Sequence, residues 1–165
     1  MPRLPHLTPL LPLLGLSTLL SACSSGDVEI SSGDVTPDER AACQQLVDAV
    51  PAELDGLAAR KVTPAKALGR AWGDPAIVLS CGVAMPESFQ PGASCEEVNG
   101  VGWYVPTDQF SDLGQELTIY TIGREPVVEL VIPSDQRRDA AFAADALATL
   151  ADPVKQAIPD AEPCI

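Results

Sequence analysis

The sequence predicts an α+β fold: a single domain in which helices near both ends cover one face of a mostly antiparallel sheet of about four strands. Three observations lead there. Helical periodicity is confined to residues 36–58 and 134–158. The stretch between carries short β-branched and aromatic runs parted by Gly/Pro turns. The two kinds of segment do not alternate, as the βαβ units of a parallel sheet require.

Thr36-Pro37-Asp38-Glu39 opens the first helix. The threonine hydroxyl can accept from the backbone three residues on, Glu39 can reach back, and proline suits the first helical position. Cys43, Leu46, Val47 and Val50 then share one face. Pro51 ends or kinks the helix, and Leu54 and Leu57 extend the apolar stripe into a second short one. The four strand candidates are Ala76–Ser80, Val98–Val105, Leu117–Ile122 and Val127–Ile132. Gly123-Arg124-Glu125-Pro126 is short enough to join the last two as a hairpin. Pro133-Ser134 offers a stop and a helix cap, and Phe142, Ala146, Leu147 and Leu150 mark one face of an alanine-rich helix. Asp152-Pro153 starts a last helical turn.

Before the domain, Arg3 and a leucine-rich run broken by Pro5, Pro9 and Pro12 form an export leader, too short and too interrupted to span a bilayer. Its end, Leu20-Ser21-Ala22-Cys23, resembles the bacterial lipobox, in which the cysteine thiol receives diacylglycerol before cleavage on its amino side. Each buried methylene contributes about 0.8 kcal/mol, so two acyl chains anchor stably where one does not. The expected organisation is a lipoprotein leader over 1–22, lipidated Cys23 with a flexible Ser/Gly/Asp tether through 35, and one domain over 36–165. The twice-written SSGDV lacks hydrophobic periodicity, so the tether is expected not to repay the entropy of ordering.

Without the leader, the chain has 9 Lys/Arg against 23 Asp/Glu, a formal charge of -14. That balance argues against nucleic-acid partners, which need a basic patch. The one histidine, His6, lies in the leader, so the mature chain lacks the side chain most used for acid/base work and metal ligation. No catalytic residues, metal or cofactor are expected. Glu96 and Glu97 are adjacent and point to opposite faces of a strand, unlike a working carboxylate pair. Four cysteines besides Cys23 remain, none in CxxC spacing: Cys43, Cys81, Cys95 and Cys164. Two disulfides are expected, and of the three pairings we favour the nested one, Cys81 with Cys95 across one loop and Cys43 with Cys164 joining the terminal elements.

The blocks Arg70-Ala71-Trp72-Gly73-Asp74-Pro75-Ala76-Ile77-Val78-Leu79-Ser80-Cys81-Gly82, Val98-Asn99-Gly100-Val101-Gly102-Trp103 and Gly123-Arg124-Glu125-Pro126 resemble those of the actinobacterial "domain of unknown function 3515" family. The resemblance covers roughly residues 40–164 and implies an exported or lipid-anchored envelope protein, with no activity or catalytic residues assigned. Within the blocks, Trp72, Asp74, Trp103 and Arg124 are either structural anchors or a binding patch, with Tyr104 beside them. The expected function is a non-enzymatic lipoprotein on the extracytoplasmic face of the cell membrane, held by Cys23 and acting as an interaction module for an envelope protein. The alternatives are a small-ligand binder with a Trp/Arg-lined pocket and a carboxylate-based hydrolase.

Overall fold

The computed structural model describes residues 26–90, 92–109, 112–139 and 141–159. The leader, Cys23 and Cys164 lie outside them. The fold is α+β, and the sheet has eight strands where the sequence analysis expects about four.

The helix that the capping box announces, α1 (Pro37–Ala49), begins as expected: Glu39 N–H donates to Thr36 Oγ1 at 3.3 Å, and Thr36 N–H donates to Glu39 Oε2 at 2.7 Å. It stops at Val50, whose backbone is extended ahead of Pro51. Leu54 and Leu57 do not extend a helix. They flank a hairpin of β2 (Glu53–Leu54) and β3 (Leu57–Arg60), closed by Asp55-Gly56, both with positive φ. That pair is the tight turn whose twist matches two antiparallel strands.

Strands β5 (Gly69–Trp72) and β6 (Ile77–Val83) follow, then β7 (Glu96–Val98) and β8 (Val101–Tyr104). The candidate strand 98–105 is thus two strands, folded back at Asn99-Gly100 with φ of 49° and 80°. The hairpin expected around Arg124 is present, joining β9 (Leu117–Ile122) to β10 (Val127–Ile132). The large sheet runs β2-β3-β5-β6-β10-β9-β8-β7 and is antiparallel throughout. Two four-stranded meanders meet at β6 and β10, which places the chain's most apolar strands in the centre.

Alternation along the strands sorts the faces. Ile77, Leu79 and Cys81, Leu117 and Ile119, and Val128, Leu130 and Ile132 turn toward the helices and are buried. Over them lie α1 and α2 (Phe142–Ala157), packed on each other, with α1 above β5 and β6 and α2 above β7 and β8. The second helix differs from expectation at both ends. Ser134 begins only a 3-10 turn, Ser134–Gln136, and Asp139 Oδ1 instead accepts from the N–H groups of Ala141 and Phe142 at 2.9 Å each. At the other end α2 runs through Pro153 without a break.

The segment expected to be a free tether belongs to the fold from residue 26 onward. Val28–Glu29 (β1) pairs in parallel with Val62–Thr63 (β4), and Ile30 is buried against Gly69. Ser32 Oγ accepts from Leu68 N–H, and Gly33 N–H donates to Gly82 O at 3.2 Å. A Cβ on Gly82 would lie 2.3 Å from Val35, so this close crossing needs glycine. Serine and glycine here serve backbone contact, and the buried isoleucine between the two repeats supplies the apolar gain that the composition conceals.

Candidate functional site

Cys43 and Cys81 form a disulfide, with Cα atoms 5.5 Å apart. The nested pairing is therefore corrected: neither Cys81 with Cys95 nor Cys43 with Cys164 forms. The cause is the length of β6, which reaches Val83 and so includes Cys81 on the helix-facing side, opposite the buried stripe of α1. Cys95 is also disulfide-bonded. Its partner lies outside the described residues, where the sequence has Cys23 and Cys164.

The four residues of the sequence-derived patch do not converge. Trp72 lies on β5 and Trp103 on β8, four strand spacings apart, or about 19 Å. Both indoles are fully buried. Asp74 is exposed in the β5–β6 turn, with Arg60 3.5 Å away. Arg124 is buried beneath the end of α2, donating to the carbonyls of Ile158 and, at 3.2 Å, Gly100. Tyr104 sits on the sheet face away from the helices, its hydroxyl 3.2 Å from Ser88 Oγ and its ring edge-on to Phe89.

A groove lies elsewhere, between α2 and the β7–β9 end of the sheet. It holds a cavity of about 210 Å3, walled by Val98, Val105, Leu117, Ile119, Ala143 and Leu147. A neighbouring hollow of about 280 Å3 shares Glu96 and Val105 with it and adds Ser94 and Thr107. Three charged side chains also line the cavity: exposed Glu96 and Asp139, and buried Arg137. Their roles differ. Asp139 caps α2, as above. Arg137 Nη1 donates to the carbonyls of Gln109, Asp112 and Gln115, the segment that leads into β9. Hydrogen bonds from the Gln115 side chain and the Gly114 N–H hold the Asp112 carboxyl below the ordinary aspartate value, with a smaller contribution from the Arg137 charge.

Glu96 faces the groove because it pairs directly with Trp103 across β7 and β8, which sets its side chain on the helix side. The sequence held no signal for this site. Its apolar walls read as core, and Arg137 and Asp139 fall where a helix start was expected. Among the described residues no group of three or more His, Cys, Asp or Glu is placed to hold a metal, and no helix is long and apolar enough to cross a membrane.

The family model described as "Protein of unknown function (DUF3515)" matches residues 9–163. The chain belongs to this family. No curated protein and no solved structure matches it. The blocks that resemble the family serve the frame of this DUF3515 chain. Trp72 Nε1–H donates to Pro51 O at 3.0 Å, fastening β5 beneath the exit of α1. Arg70 Nη2–H donates to Val47 O at 3.0 Å, in the last turn of the same helix. Arg124 does for α2 what Arg70 does for α1. Each helix ends on a guanidinium from the sheet, which satisfies carbonyls left open at a C-terminus and meets the negative end of the helix dipole. The Asn99-Gly100 turn is held from three sides, by Arg124, by Lys155 Nζ on Asn99 O at 2.8 Å, and by Asn99 Nδ2 on Ala148 O at 3.4 Å.

Proposed function

We propose that the chain is a lipid-anchored protein of the extracytoplasmic membrane face that acts by binding, and that the groove between α2 and β7–β9 is where it binds. The observation that carries this reading is the cavity: apolar walls, a concave shape and a few placed charges are the usual make-up of a binding pocket. Its size suits one large apolar side chain of a partner or a short aliphatic segment. Glu96 and Asp139 at its border favour a partner that brings positive charge beside that apolar group. The lipobox supports the compartment, since Cys23 stands directly before the folded part.

A photocrosslinking residue at Ala144, exposed on the groove's edge, tests this in the native envelope. A discrete adduct is expected from position 144. It should vanish in the Ala143→Leu background, which fills the cavity, while the melting temperature holds. The same probe at Gln44, exposed on α1, should give none. Equal capture from both positions, or capture unaffected by filling the cavity, would contradict the groove as the binding site.

A further inference from the structure

We infer that the corner formed by Gly26, Arg60-Lys61 and the β5–β6 turn lies directly against lipid headgroups, held there by the shortness of the link to the anchor. The inference rests on the lipid-anchor reading of Cys23 and adds to it an orientation. Only Ser24 and Ser25 separate Cys23 from Gly26, whose carbonyl is held by Arg60. Three Cα spacings bound that link at about 11 Å even when fully extended. The headgroup zone on one side of a bilayer is itself roughly 6 Å deep.

From Gly26 on, the chain has no slack. Arg60 Nη2–H donates to Gly26 O at 2.9 Å, Lys61 Nζ meets Asp27 Oδ2 at 2.6 Å, and Val28 N–H donates to Lys61 O at 2.9 Å. Arg60 also donates to Gly73 O at 2.7 Å, so the point of exit is fastened to the β5–β6 turn as well as to the end of β3. A free coil through residue 35 would have let the domain swing well away from the bilayer; this chain cannot. The membrane is therefore the partner of this corner.

Charge agrees with that orientation. Arg60 pairs with Asp74 at 3.5 Å and Lys61 with Asp27 at 2.6 Å here, in a mature chain that carries -14 overall. A neutral corner approaches an anionic surface without the repulsion that the rest of the domain would meet.

The mature chain has three lysines, Lys61 at this corner, Lys66 in the turn at the other end of β4 and Lys155 on α2, which makes a footprint simple to read. The full lipidated protein is reconstituted into vesicles of phosphatidylcholine with phosphatidylglycerol. It is acetylated from outside with an amine-reactive reagent that does not cross the bilayer, and mapped by mass spectrometry. The reference is the same protein with about ten Gly/Ser residues inserted between Ser25 and Gly26, which lengthens the reach by roughly 17 Å. In the natural chain, acetylation of Lys61 relative to Lys155 should be several-fold lower than in the insertion variant. Equal ratios in the two chains, or protection that survives the insertion, would overturn the inference. A chain that fails to float with the vesicles and whose intact mass shows an unmodified residue 23 would overturn the anchor reading itself, a result that the footprint cannot be mistaken for.

Discussion

Trp72 donates its indole N–H to Pro51 O, whereas the N–H of Trp103, equally buried, meets no acceptor among the described residues. Replacing each by phenylalanine keeps most of the apolar volume and separates the two roles. Trp72→Phe strands a carbonyl and loses a hydrogen bond, while Trp103→Phe removes an unsatisfied donor. The first should be the more destabilising by about 1–3 kcal/mol in urea midpoints, and the reverse order would contradict the assignment. Tyr120 offers a second residue-scale test. Burial pushes its phenol up to about 12, and the negative charge of Glu129, directly opposite on β10, adds to the effect. The folded pKa lies above the unfolded value, so the stability tied to the neutral phenol is complete below about pH 10 and is lost as pH rises through about 12. An absorbance titration should show one late phenol ionisation that Tyr120→Phe removes.

At the scale of elements, each helix is closed by an arginine of the sheet, and Arg124 is the more deeply placed of the two. Arg124→Ala leaves the Ile158 and Gly100 carbonyls without their donor and loosens α2 from the Asn99-Gly100 turn. It should cost about 3 kcal/mol, read as a lower denaturant midpoint, with Arg124→Lys recovering only part because one ammonium cannot fork to both carbonyls. A silent Arg124→Ala would contradict this capping role. The elements also show where the sequence was legible. The capping box of α1 and the β9–β10 hairpin could be read because their signals are local. The β2–β3 and β7–β8 hairpins were equally local, since Asp55-Gly56 and Asn99-Gly100 are the strongest short hairpin signals. Strands of two to four residues, however, carry too few apolar positions to show a period. Leu54 and Leu57, three apart, imitated a helix.

For the whole molecule, long-range partners were the illegible part. The groove joins α2 to three strands, and nothing in a strand's apolar run says that it lines a cavity rather than a filled core. The disulfide was closer to being readable. Cys81 shares its parity with Ile77 and Leu79, and Cys43 shares the buried face of α1 with Leu46, so both thiols face the same interior once β6 is given its full length. The Cys43–Cys81 bond closes 38 residues of separation, and removing it should cost about 4 kcal/mol on the chain-entropy account. Non-reducing peptide mapping should recover Cys43 joined to Cys81, and Cys95 joined to Cys164, the cysteine left once Cys23 is acylated. Free thiols, or Cys95 joined to Cys81, would contradict the fold. Attachment of this domain to the membrane through Cys23, as proposed, is read out by the intact mass of the protein purified from its native envelope. A chain that begins at Cys23 and carries diacylglycerol there is expected; an unmodified residue 23 would overturn the lipid anchor.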